Sequence, residues 1–252
     1  MTPEIIATTF NPWLVLLSYA IAAVGSFTAL TAAGAAQRVR GGAKRINIGM
    51  AGLALGGVAI WSMHFVGMVA RQLDLQIGYR WLETVVSLVA AVVVSTLVLG
   101  YVAAGPLTAR RLLIAGPLAG IGVAVMHYLG MYAMRFGGRF EWNFEIVAIS
   151  VVIAMVAATA ALWLAFSTRT RAHRIAAAFV MAAAVCSMHY TGMYAASVIC
   201  TTRDAGAMLA GLMRPSELPA IVVVVAVGIA MMIGLDLLLQ RVNAAMPVAY
   251  TR

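Results

Sequence analysis

Seven stretches of about twenty apolar residues leave this chain little choice of fold. They run over residues 13–34, 46–69, 82–104, 112–134, 146–167, 175–199 and 218–240. Inside a bilayer every backbone N–H and C=O must be satisfied within the protein, and a helix does this by itself. Twenty residues at 1.5 Å each match a hydrocarbon layer about 30 Å thick. The expected fold is therefore all-α: a polytopic membrane protein of seven transmembrane helices, forming one domain over residues 1–252. Composition agrees, with 63% hydrophobic and 10% charged residues. Soluble domains carry about a quarter charged residues. The first run is too long for a signal-peptide core and no small-residue cleavage site clearly follows it, so it counts as a span.

The formal net charge of +9 would suit a nucleic-acid binder, but its distribution excludes that reading. Arg38, Arg40, Lys44, Arg45, Arg110, Arg111, Arg169, Arg171, Arg174, Arg241 and Arg252 fall in alternate connections and the tail, without an acid among them. The opposite segments mix arginines 71, 80, 135, 139, 203 and 214 with Glu4, Asp74, Glu83, Glu141, Glu145, Asp204 and Glu217. Basic connections stay in the cytoplasm. The N-terminus is thus expected outside and the C-terminus in the cytoplasm. Trp13, Trp81 and Trp142 open odd-numbered spans on the outer side, where an aromatic belt belongs.

Three of the four histidines sit in one recurring frame, Met-His-x-x-Gly-Met. It reads Met63-His64-Phe65-Val66-Gly67-Met68, then Met126-His127-Tyr128-Leu129-Gly130-Met131, then Met188-His189-Tyr190-Thr191-Gly192-Met193. The period of about 62 residues defines three two-helix repeats, approximately 13–69, 82–134 and 146–199, closed by a seventh helix over 218–240. Each motif ends an even-numbered span, so the three histidines are expected at one depth in the outer half of the bilayer. Polar groups there are expensive and face partners or a cavity. Three copies at one depth point to a shared purpose.

Residues four apart share a helix face. His64 therefore points with Met68, His127 with Met131 and His189 with Met193, while the leading Met63, Met126 and Met188 lie about 100° around. Met134 would extend the second copy's face. The glycine clears room for a close helix or a small ligand. Imidazole with thioether is a soft donor set that suits copper, Cu(I) above all. Zinc through three histidines and haem through His/Met pairs fit less well. Retinal is excluded, because the only lysine, Lys44, lies in a connection. Cys186 and Cys200 are expected on one span, about 21 Å apart and beyond disulfide reach. Asp236, near the basic end of the seventh span, is read as a carboxylate reaching the headgroups.

These motifs resemble the MHYT domain, a bacterial integral-membrane sensory domain. The resemblance covers nearly the whole chain, although the literal Met-His-Tyr-Thr occurs once, at Met188 to Thr191. It implies residence in the bacterial inner membrane. It also implies copper held by His64, His127, His189 and the methionines 63, 68, 126, 131, 188 and 193. The implied role is sensing of a diatomic gas (oxygen, CO or NO) or redox state, with output through a cytoplasmic signalling domain or partner protein. The chain ends twelve residues after the seventh run, so it is expected to be an excised module or to signal through a separate partner; a homodimer is compatible with either. The alternatives are a copper transporter or importer, which needs ligands at several depths, and a three-histidine membrane metalloenzyme. No general base is visible for the latter, and no enzymatic activity is expected.

Overall fold

In the computed structural model the described residues are 4–168, 170–206 and 208–245; Arg169 and Arg252, two of the cations counted above, lie outside them. Among the described residues seven helices are long and apolar enough to cross a membrane: α1 (Pro12–Ala36), α2 (Gly41–Ala70), α3 (Trp81–Ala103), α4 (Ala109–Ala133), α5 (Phe144–Ser167), α6 (Arg171–Tyr194) and α7 (Leu218–Ala245). Their starts follow from local chemistry. Asn11 accepts from the backbone N–H groups of Trp13 and Leu14, and Asn143 from those of Glu145 and Ile146. Thr108 and Thr170 cap α4 and α6 the same way. Such caps satisfy N–H groups that the first turn leaves free.

Helices α1 to α6 form a closed ring in which each packs on the next and α6 returns to α1, while α7 lies against α2. Small residues set the spacing. A Cβ on Gly25 would strike the backbone of Ala59, and one on Gly120 the backbone of Ala154 and Met155. Glycines allow backbones to approach where no hydrophobic force drives helices together in lipid.

The all-α expectation misses one feature. Each repeat carries a short strand before its first helix and another after its second, and the two pair antiparallel: β2 (Thr9–Phe10) with β3 (Arg71–Gln72), β4 (Ile77–Tyr79) with β5 (Met134–Phe136), and β6 (Gly138–Trp142) with β7 (Ala196–Cys200). A further strand, β1 (Glu4–Ile5), adds to the edge of β7. The repeat unit is therefore strand–helix–helix–strand. The backbone N–H groups of Asn11, Arg80 and Asn143 close the three units by donating to the carbonyls of Ala70, Ala133 and Ala195. The ribbons cap the end of the bundle where the motifs lie. The other end carries the basic connections, where Lys44 and Arg111 donate to carbonyls of the last turn of α3, at Ala103 and Tyr101. Cations belong at a helix C-terminus.

The ribbons also correct the cysteine placement. α6 ends at Tyr194, so Cys186 lies on the helix and Cys200 on β7, not on one span; both are free. Met134 likewise begins β5 rather than extending the α4 face.

In α2 the segment Leu53–Ser62 is π-helical. The cause is a one-residue surplus. Gly52 and Gly56 of α2 meet Thr96 and Ala91 of α3, as Gly116 and Gly120 of α4 meet Thr159 and Ala154 of α5. Yet His64 follows Gly56 by eight residues and His127 follows Gly120 by seven. A π segment absorbs an inserted residue while both ends keep their register. Helix α7 packs on this segment, with Ile229 against Gly57.

Candidate metal centre

The three motif histidines converge on the axis of the ring near the ribbon end, each at most 1% exposed. Their Nδ1 atoms form a nearly equilateral triangle: 3.1 Å from His64 to His127, 3.1 Å from His64 to His189 and 3.2 Å from His127 to His189. The rings stand almost perpendicular to one another, at 80°, 89° and 86°.

The glycine three residues on explains how the rings fit. A Cβ at Gly67 would collide with the His189 imidazole, one at Gly130 with His64, and one at Gly192 with His127. Each repeat thus leaves a notch for the ring of another, and the notches run cyclically. The Nε2 atoms pointing at these notches are buried without a hydrogen-bond partner.

The residue after each histidine anchors its helix outward. Ser18, Ser87 and Ser150 occupy equivalent places on α1, α3 and α5, and each donates to the carbonyl three residues back, at Val15, Thr84 and Val147. The serine oxygens are then free to accept. Tyr190 reaches Ser18 at 2.8 Å and Tyr128 reaches Ser150 at 2.6 Å. The first repeat has Phe65 in place of a tyrosine, and there the Trp61 indole donates to Ser87 at 3.1 Å and to the Thr84 carbonyl. Sequence reasoning missed these serines. Their signal was a hydroxyl recurring one and a half turns into the first, third and fifth spans.

The methionines divide into two groups. Met63, Met126 and Met188 form, with Ile60, Val123, Val185 and the three histidines, a close-packed apolar layer on the basic-end side of the triangle, with no room for a water molecule. Met68, Met131 and Met193 lie on the ribbon side, at most 2% exposed and packed in one cluster with Phe65, Tyr79 and Val198. Beyond them Arg71 crosses between repeats, its Nη2 donating to the Ala196 carbonyl at 2.7 Å and to Thr8. Burial lowers the Arg71 guanidinium to about 10, leaving it charged at neutral pH, and pushes the neighbouring Tyr79 phenol up.

The triangle suits a metal ion. A ring nitrogen of neutral imidazole carries either a proton or a lone pair, so three facing Nδ1 atoms cannot satisfy one another around a triangle. A cation taking three lone pairs can. Nitrogen ligands at about 2.0–2.1 Å from a tetrahedral ion stand roughly 3.3–3.4 Å apart, within about 0.3 Å of the edges here. Among the described residues the three histidines form the one group of metal-ligating side chains of this kind, and no carboxylate belongs to it.

A ring of transmembrane helices with internal threefold repetition, closed around a buried histidine triad, defines the class: a polytopic membrane protein with a candidate metal centre. The chain belongs to the MHYT family. The model of the bacterial signalling protein N-terminal repeat matches residues 57–115 and 120–178, leaving the third motif outside the matched segments. Over 194 residues the chain is 38% identical to the bifunctional diguanylate cyclase/cyclic di-GMP phosphodiesterase MucR of Pseudomonas aeruginosa, covering 75% of this chain and 28% of that protein. It is 31% identical over 201 residues to the signaling protein YkoW of Bacillus subtilis, covering 76% and 25%. It is 32% identical over 194 residues to the cyclic di-GMP phosphodiesterase NbdA of P. aeruginosa, covering 74% and 24%. The chain spans about a quarter of the length of these relatives. No solved structure matches it.

Proposed function

We propose that this chain is a sensory module of the bacterial inner membrane that holds a copper ion at His64, His127 and His189 and reports a diatomic gas or redox change to the cytoplasm. The Nδ1 triangle carries the reading. Copper is favoured over zinc by the surroundings. No carboxylate joins the triad to offset the ion's charge, and the desolvation penalty of an ion grows with the square of its charge. A singly charged, soft ion is therefore the least expensive occupant. The thioethers of Met63, Met126 and Met188 on one side, and of Met68, Met131 and Met193 on the other, supply the soft surroundings that Cu(I) prefers. When bound, the ion supplies a redox couple and a position for a small ligand. The protein's own part is to hold three rings by glycine notches and to exclude water.

The ribbon end faces outward in this reading and the basic end faces the cytoplasm, by the charge rule. Output runs through α7, which packs on the π segment of α2 immediately before His64 and leads toward the C-terminal side. MucR and NbdA, whose names carry cyclic di-GMP enzymes, indicate the kind of domain that such a module serves. The test is metal analysis and electron paramagnetic resonance of protein purified in detergent, beside hydrogen exchange at the basic end with and without oxygen, NO and CO. One copper per chain, with spectrum and exchange moving together, is expected. A copper signal that responds while the basic end stays unchanged, with the native partner present, defeats the sensor reading and leaves transport or catalysis.

A further inference from the structure

The two sides of the histidine triangle are not alike. Toward the ribbon end, glycine backbone presses on each imidazole, three buried methionines follow, and the ribbons with Arg71 lie over them. Toward the basic end the rings meet apolar side chains, packed with no room for a water molecule. This close-packed layer shares Ile60, Val123, Val185 and Met188 with a partly open cavity among α2 to α6. That cavity offers ≈50 Å³ of open volume, and its wall is almost wholly apolar, built mainly of alanines such as Ala119, Ala157, Ala158, Ala161 and Ala184. It lies in the middle of the spans, at the depth of the hydrocarbon core.

We propose that small, uncharged, apolar molecules reach the triad from the hydrocarbon interior through this alanine-lined cavity, entering on the basic-end face with Met188 at the neck. The inference rests on the metal-centre reading and adds a route and a direction of approach. Several observations select the occupant. The wall offers an ion or a sugar almost no polar partner, and desolvating one there is expensive. The open volume is small, which suits two or three heavy atoms and not an acyl chain. Apolar gases concentrate in the bilayer core, so no aqueous gate is needed. Methionine is the side chain best able to yield at a neck, having three rotatable bonds and no branch.

Xenon is the probe, because it tests the cavity without any metal. The full chain in lipid nanodiscs is titrated with xenon and followed by 129Xe exchange and by the methyl shifts of Ala158, Val123 and Met188. Saturable binding at those methyls is expected in the wild type and its loss in Ala158→Phe, a position outside the metal centre. In copper-loaded protein, CO recombination after flash photolysis is expected to slow severalfold in Ala158→Phe at unchanged copper content. It is expected to quicken in Val123→Ala, which widens the neck. Xenon binding in detergent but not in nanodiscs would mean that lipid fills the cavity, and overturns the proposal. Unchanged CO kinetics in both variants overturns it too. Absence of copper with xenon still bound removes the metal reading and leaves an apolar cavity that serves no centre.

Discussion

At the scale of single residues, the repeated frame assigns each of its positions a physical task. The histidine contributes one nitrogen to a shared triangle, so its loss affects the whole centre. Replacing any one of His64, His127 or His189 by alanine is expected to abolish most copper binding; a loss of about one third per variant would indicate three independent sites. The glycine holds space for a neighbouring ring. Gly130→Ala drives a methyl into the His64 imidazole and is expected to destabilise by about 1–3 kcal/mol. Gly34→Ala on α1, where a Cβ meets nothing, is the control and is expected to be neutral or mildly stabilising in a thermal unfolding assay. The residue after the histidine must match its serine. Ser87 already accepts from Trp61, so Phe65→Tyr buries a second donor beside an occupied acceptor, at an expected cost of about 1–3 kcal/mol. Trp61→Phe combined with Phe65→Tyr should recover part of that loss. Failure of the pair to recover any would show that Ser87 is not equivalent to Ser18 and Ser150.

At the scale of elements, the π segment of α2 is the departure from threefold repetition that has a mechanical cause. It accommodates one surplus residue between Gly56 and His64. Deleting Val58 should convert the segment to regular α-helix while glycine contacts and histidine keep their register. Copper content is then expected to remain near wild type, with the packing of Ile229 on Gly57 disturbed instead. Deleting Ala124 from α4, which has no surplus, should rotate His127 about 100° off the axis and abolish binding. Metal analysis of the two deletions separates these outcomes; equal loss in both would refute the surplus account. Deleting Val58 also tests the proposed output, because α7 packs on this segment.

At the scale of the whole molecule, the six-helix ring closes on itself through the α1–α6 seam, tied by Ser18–Tyr190 between the helices and by Arg71–Ala196 between the ribbons of the first and third repeats. The closed ring has two unlike ends. The connections at the basic end carry cations and no acid, whereas at the ribbon end Arg80 and Arg135 pair with Glu83 and Arg203 with Glu4. Surface pairs of this sort add little stability, so the contrast concerns orientation. Cysteines placed at Ala43 and Asp74, both exposed, should be labelled from opposite sides in intact cells, with only position 74 open to an impermeant reagent from outside. The reverse pattern would invert the proposed topology.

The seven apolar helices and the three histidines that meet in the triad were legible in the sequence for physical reasons. Apolar length fixes a span independently of its neighbours, and a histidine in an apolar run stands out because burial there is expensive. The ribbons were not legible: β3, at two residues, is too short to show an alternating pattern, and its pairing with β2 spans sixty-odd positions. The place of Cys200 was lost with them. Helical spacing put Met68, Met131 and Met193 on the histidine faces, but spacing on one helix cannot say what packs on each side of a triangle. Only the convergence of three helices decided that. It packed Met63, Met126 and Met188 beneath the histidines and aimed each glycine at a ring two helices away, because both depend on backbones brought together from distant parts of the chain.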